Sequence, residues 1–355
     1  MLHARPARGG RGLARESAAC DEYGMIVLTT AQVNRARLIR SICGLGLLRI
    51  LLALSVCAQA ASAQSRSVAI TIDDLPAVST RRDIAVHTSI TERLLATLQR
   101  EAVPAIGFVI EGGLETNGRP ERERIALLER WLAAGMGLGN HSFSHRSLHQ
   151  SALETYQQDV LRGERVIRPL VERHGKSLAW YRHPMLHTGR TMQTKQAFAA
   201  FLASHGYRIA PVTIDNQEWI FARAYDHTLD RNDSAGARRI AEAYLPYMDS
   251  IIGYYEQQSR ALLGREPHQV LLLHANRLNA EYLDELLALM RRRGYRFISL
   301  DEAMLDPVYE RADPYTGPAG ITWLHRWAMA EGWTGSDFAG EPEVPAFVRE
   351  IAGVS

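Results

Sequence analysis

Val68-Ala69-Ile70-Thr71-Ile72-Asp73-Asp74-Leu75-Pro76 is the stretch whose reading decides the fold. A short β-branched apolar run ends in two adjacent carboxylates, and a proline then stops a strand from continuing. Such a run reads as a buried strand of an α/β protein. In these proteins, ligands and chemistry gather just past the C-terminal ends of the strands. Two carboxylates placed there repel unless a cation or a proton sits between them. The plain alternative is a helix cap, because Asp in a βα loop often caps the next helix.

Outward from this stretch, apolar runs alternate with helical spacing. Residues 105–110, 137–141, 178–182, 207–214, 269–274 and 296–300 read as further strands. Helices are expected over 86–100, 121–134, 152–174, 191–205, 236–263 and 280–293, with Pro246 kinking or breaking the fifth. Seven β/α alternations point to an α/β fold with a single catalytic domain, a distorted (β/α)7 barrel, with an open doubly wound sheet as the alternative. No glycine-rich phosphate loop follows any strand. Residues 221–235, dense in Asp, Arg, Asn and His, read as a long loop shaping the substrate groove.

The ends carry different signals. Residues 1–63 hold eight arginines and three acidic residues. Arg35, Arg37 and Arg40 precede a broken apolar run, and Ala61-Ser62-Ala63 follows it, the pattern of a secretory signal peptide. Met25 offers a second start for that leader. The run is too short for a comfortable membrane span, so the expectation is a secreted or periplasmic chain with no stable membrane span after leader cleavage. Cys20, Cys43 and Cys57, the three cysteines, all fall in the leader, so a metal held by the remainder must use His and carboxylates. The barrel is expected over 64–305. The tail, 306–355, carries Trp323 and Trp327 on one helix face, placed to pack against the barrel. A formal charge of +2 over 355 residues gives no argument for a nucleic-acid partner.

Four more segments fall at strand ends. His141-Ser142-Phe143-Ser144-His145 places two histidines on one face of a helical turn. With Asp74 they form a His₂Asp ligand set that keeps a fourth position open, as catalytic zinc sites do. Arg182, before His183 and Pro184, needs a carboxylate partner in its apolar setting. His183 and His187 read as ordinary histidines. Asp215-Asn216-Gln217-Glu218-Trp219 and Leu271-Leu272-Leu273-His274 complete the set, His274 being a general acid if a carboxylate fixes its second nitrogen and a core histidine otherwise.

These five segments, in this order, resemble the motifs of the polysaccharide deacetylases of carbohydrate esterase family 4, the NodB-homology domain. The resemblance spans about residues 68–305. It implies one divalent metal, usually Zn²⁺, and hydrolysis of acetyl groups on an N-acetylated glycan. By the same resemblance, Asp74, His141 and His145 bind the metal. Asp73 is the base and Arg182 holds it ionised. Met185 offers a backbone N–H to the oxyanion. His274 is the acid, oriented by Asp215. Trp219 walls the acetyl pocket, and Ser142 braces the histidine loop. Leu75, Met185 and Glu218 depart from the usual residues at their positions. An O-acetyl esterase, a small-amide metal hydrolase and a non-catalytic glycan-binding protein are the other readings.

Overall fold

The computed structural model describes residues 66–354, so the expected leader lies outside the described residues. The strands, in chain order, are β1 (Arg66–Leu75), β2 (Ala105–Val109), β3 (Glu115–Thr116), β4 (Arg119–Pro120) and β5 (Gly137–Asn140). They continue with β6 (Trp180–Tyr181), β7 (Arg208–Ile209), β8 (Gln269–His274) and β9 (Tyr295–Ile298). The helices are α1 (Ile84–Arg100), α2 (Arg122–Ala133), α3 (Leu153–Arg162), α4 (Ile167–Arg173), α5 (Met192–Ser204) and α6 (Glu218–Asp230). Then come α7 (Ser234–Leu263), α8 (Arg277–Arg292), α9 (Leu300–Ala303), α10 (Trp323–Ala330) and α11 (Ala346–Ala352). Among the described residues no helix is long and apolar enough to cross a membrane.

The main sheet runs β7-β6-β5-β2-β1-β8, and every pair in it is parallel. A single bridge, Ile214 to Leu271, joins the chain beyond β7 to β8 and brings the two ends of the sheet together. Val68 and Ala69 pair with β8 and with β9 at once, so β9 occupies the other edge of β1, ahead of β2. The result is a curled, distorted barrel of seven parallel strands wrapped by helices. The β3–β4 hairpin is a separate addition that turns at Asn117-Gly118, both with positive φ.

Strand alternation divides the chain into an inside and an outside. Val68, Ile70 and Ile72 of β1 face outward into the large core shared with the helices. Ala69 faces inward, packed with Ile106, Phe108, Trp180 and Val270 in a smaller interior core. Continuing the inward parity upward gives Thr71 and Asp73 on β1, Leu272 and His274 on β8, and Arg182 beyond Trp180. Polar chemistry therefore caps an apolar plug, and it does so at the C-terminal ends of the strands.

Three expectations need correction. Residues 221–235 are not a loop, because residues 218–230 form α6. Ile220, Phe221, Ala224, Tyr225 and Thr228 make a helical stripe buried against α7, and the density of charged residues hid that periodicity. The expected helix over 152–174 is two helices, α3 and α4. The first ends at Gly163, where any Cβ would collide with the Ser142 and Phe143 backbone. Pro246 does not break its helix: α7 runs 30 residues through it.

The tail lies on the same unit as the barrel. Trp323 and Trp327 are buried, and the fully buried Arg326 donates to Ile321 O, Leu186 O, Thr188 Oγ1 and Asp313 Oδ2. It thereby ties the tail to the segment after Arg182. Gly320 fits against that segment so closely that a Cβ would overlap the Met185 carbonyl.

Candidate active site

Adjacent residues of a flat strand point to opposite faces, so Asp73 and Asp74 cannot both reach one site without a distortion. The register of β1 against β2 slips between Ile72 and Leu75, and Asp74 takes φ 65°. This bulge swings the Asp74 carboxylate back beside that of Asp73. Neither aspartate caps a helix here; Asp83 caps α1 instead.

His141 leaves the end of β5, and the segment to His145 is a tight loop rather than the helical turn expected from the spacing. Ser142 and His145 both have positive φ. The Ser142 hydroxyl accepts the His145 N–H at 3.0 Å, and Asn140 Oδ1 accepts the Ser142 N–H at 2.7 Å. Helix α3 holds the loop from outside. The Asp159 carbonyl accepts the Phe143 N–H at 3.1 Å, and its carboxylate accepts the Ser144 N–H at 3.1 Å and the Ser144 hydroxyl. Arg162 stacks 3.4 Å over the Phe143 ring. From the β2 side, Glu111 and Gly112 donate backbone N–H groups to the Ser142 and Phe143 carbonyls. The Glu111 carboxylate, meanwhile, accepts the first N–H groups of α4. Eight non-glycine residues among those described have positive φ, and five belong to this site: Asp74, Ser142, His145, Met185 and Leu186. Strain is thus concentrated where the reacting groups sit.

Asp74 Oδ1 lies 3.5 Å from His141 Nε2 and 3.6 Å from His145 Nε2. It is buried and has no hydrogen-bond partner. Ligands about 2.0–2.2 Å from a tetrahedral zinc stand roughly 3.3–3.6 Å apart, so these three residues fit one divalent ion. His141 Nδ1 lies 2.8 Å from the Arg182 carbonyl, to which it can only donate, and this leaves Nε2 as the lone-pair nitrogen. Burial, then the neighbouring His145, push the His141 pKa down and keep the imidazole in its neutral, metal-binding form.

Two buried ionic couples flank this trio. Arg182 NH1 stands 3.7 Å from Asp73 Oδ2, while NH2 donates to Thr71 Oγ1 at 2.9 Å and the guanidinium lies 4.8 Å from the centre of the Phe108 ring. Burial raises the Asp73 pKa, and the Arg182 charge works against that rise. On the other side, His274 Nδ1 stands 3.4 Å from Glu218 Oε2. Burial opposes the imidazolium, but the Glu218 carboxylate, with Asp74 and Asp73, outweighs it and lifts the His274 pKa to about 10.

The partner of His274 is therefore Glu218 rather than Asp215, which corrects the expectation. Glu218 opens α6, is fully buried, and accepts from the His274 N–H and the Asn276 and Asn279 side chains. Asp215 shares the cavity wall and burial raises its pKa to about 6, but it makes no ion pair or hydrogen bond with His274 among the described residues. The sequence signal was the acidic residue directly before Trp219.

Met185 sits in a 3₁₀ turn, Pro184–Leu186, whose following N–H groups close onto His183 and Pro184 carbonyls. The Met185 N–H precedes those bonds and lacks a partner within the turn. Met185 and Trp219, each 44 % exposed, line the cavity of about 810 Å³ that also contains Asp73, Asp74, His141, His145, Asp215 and His274. Arg182 lies behind the lining. His183 is buried along the same wall, and His187 stacks on His149 at 4.0 Å, away from the trio. Asp159, Glu111, Gly163 and Arg326, which position the motif loops, were not identified from the sequence.

Comparison with known proteins gives the following. Among solved structures, the chain is similar to a family 4 acetyl xylan esterase from Clostridium thermocellum in complex with a cobalt ion (19 % identity, 69 % of this chain and 97 % of that one, TM-score 0.45). It is also similar to Bacillus subtilis PdaA, a family 4 carbohydrate esterase (19 %, 69 % and 82 %, 0.42). A third is a CE4 family pseudoenzyme from Bacillus anthracis (15 %, 68 % and 66 %, 0.45). The family model for polysaccharide deacetylase matches residues 60–209, which hold Asp73, Asp74, His141, His145 and Arg182. Over that stretch, and through the motifs it contains, the chain is similar to the polysaccharide deacetylase family.

Proposed function

We propose that this chain is a metal-dependent hydrolase that removes N-acetyl groups from a glycan. The observation that carries the reading is the set of three candidate ligands with a buried carboxylate on one side and a partly buried imidazolium on the other. Asp74, His141 and His145 would hold the ion, for which Zn²⁺ suits the two imidazoles and one carboxylate. When bound, such an ion supplies Lewis acidity toward water and the acetyl carbonyl.

The chain's own groups divide the remaining work. Asp73 Oδ1, buried and free of hydrogen bonds, accepts the proton of the attacking water. Arg182 keeps that carboxylate fixed in the barrel interior. Met185 lines the cavity, and its backbone N–H would stabilise charge developing on the carbonyl oxygen. His274, protonated and backed by Glu218, gives its proton to the leaving nitrogen, without which an amide does not cleave. Trp219 forms an apolar wall beside the acetyl methyl group. The leader-like segment further supports action outside the cytoplasm.

The test measures acetate release by the full chain from chitin oligomers, peptidoglycan and acetylated xylan, with and without chelator, beside Asp73→Asn. Acetate that needs metal and disappears in the variant supports the reading, and a preference for xylan would favour an O-acetyl esterase. No acetate from any of them, with metal bound, would overturn it in favour of a small-amide hydrolase or a glycan-binding protein.

A further inference from the structure

Past the reacting centre the cavity continues along α6. Trp219, Arg223 and His227 are spaced four residues apart, share one face of that helix and all line the cavity, together with Val78, Ser79 and Thr80. Among the described residues Arg223 is the only arginine or lysine on the cavity wall. It is exposed and makes no ion pair among the described residues.

The acids near it are already engaged. Asp226, three residues on, accepts from Arg277 Nε at 2.6 Å, Ser79 Oγ at 2.7 Å and the Thr80 N–H at 2.9 Å. Asp230 accepts from Arg277 NH2 at 2.9 Å and from the Thr80 hydroxyl. His227 Nδ1 is turned to the Ile351 carbonyl at 2.9 Å. Among the described residues Arg223 is thus left without a compensating carboxylate at this end of the cleft, where low-dielectric walls concentrate its field.

A guanidinium matches a carboxylate with two parallel hydrogen bonds, which an ammonium cannot reproduce. One turn before it, the exposed Trp219 ring offers a flat apolar face to a sugar. Glu218, which backs His274, begins the same helix, and at 1.5 Å per residue Arg223 lies about 7.5 Å farther along the axis. A group held there is offset from the acetyl being cleaved.

We infer that the cavity selects an N-acetylated glycan bearing a carboxylate near the reacting sugar, with Arg223 as the specificity-determining residue. This rests on the deacetylase reading. The experiment compares kcat/KM of the full chain on two carboxylated oligosaccharides, one with lactyl ethers and one with uronate units, each against its own methyl ester. The ester removes the charge and little else. Wild type should lose about tenfold or more on esterification of at least one of the two, the effect of one charge-assisted pair. Arg223→Gln should show no such loss, and Arg223→Lys should recover only part of it. Which oligosaccharide responds identifies the carboxylate. Equal rates on acid and ester in wild type, or discrimination retained in Arg223→Gln, would overturn the inference. If no acetate appears from any substrate, the deacetylase reading has failed. Calorimetric binding of acid against ester, in wild type and Arg223→Gln, then decides this inference by the same criteria.

Discussion

The two ionic couples beside the candidate metal ligands are built from the same pair of charges with the roles exchanged. In Arg182–Asp73 the cation is the holder and the carboxylate faces the cavity; in Glu218–His274 the carboxylate is the holder and the cation faces the cavity. Asp73 and His274 are direct register partners on the adjacent strands β1 and β8. Their holders come from elsewhere, one from the end of β6 across the barrel and one from the first turn of α6. Burial acts against ionisation in both couples, raising Asp73 and opposing the charged form of His274. What differs is the outcome: Glu218, with Asp74 and Asp73, more than reverses the burial effect on His274, whereas Arg182 works against it on Asp73 without reversing it. A site that needs a proton acceptor and a proton donor side by side gains that division from two couples of opposite sense.

The comparison breaks most directly if one working group proves dispensable. Asp73→Asn and His274→Gln should each lower kcat for acetate release by about 10²–10⁴, the usual range for a positioned acid or base. Because both protons move within one reaction, the double variant should lose far less than the product of the two single losses. A single variant within threefold of wild type would remove that residue from the working pair.

The holders give a smaller and more diagnostic effect. Glu218→Gln should cost about tenfold to a hundredfold in kcat/KM and shift its alkaline limb to lower pH. The sign follows from the couple: Glu218 raises the His274 pKa, so without it the imidazole loses its donor proton at a lower pH. Asp215→Asn should leave that limb nearly in place. The pH–rate profiles of the two variants separate the residues, and a larger shift in Asp215→Asn would reinstate it as the holder.

The difference between couples also explains what could be read from the sequence. Asp73, Asp74, His141, His145, Arg182 and His274 each lie at or within a few residues past the end of a recognisable strand, so residue type and strand order were enough to bring them to one rim. Glu218 was legible only as the acidic residue before Trp219, and Asp215 competed for the role three residues earlier. Asp215 holds that role only by the resemblance, and no strand periodicity continues there to show which of the two carboxylates reaches His274. Helix α6 was missed for a related reason: its exposed stripe carries the charges, and its buried stripe of Ile220, Phe221, Ala224 and Tyr225 is interrupted by them. The β1 bulge, the tight histidine loop and the contacts from Asp159, Glu111, Gly163 and Arg326 depend on backbone geometry and long-range packing. Such features leave no local pattern in the chain.

The supports around the ligand loop set the smallest expected effect, and they test whether strain at this rim is held from outside. The Asp159 side chain fixes Ser144 through its N–H and hydroxyl, while the Asp159 backbone carbonyl fixes Phe143. Asp159→Ala removes the first anchor and keeps the second, so the loop should loosen without coming free. Metal affinity should fall by about tenfold, the lower end of what outer-shell partners contribute. Stability to urea should fall by about 1 kcal/mol, as expected for hydrogen bonds at a partly open site. At saturating metal, kcat should stay within about twofold, because neither couple is touched. Competition with a chromogenic chelator gives the affinity, and activity against free metal gives the rest. An unchanged affinity would mean that the left-handed backbone at Ser142 and His145 is held entirely by Asn140, Ser142 and the β2 side of the loop. A fall in kcat at saturating metal would mean that loosening the loop also reaches the Arg182–Asp73 couple, since His141 Nδ1 donates to the Arg182 carbonyl.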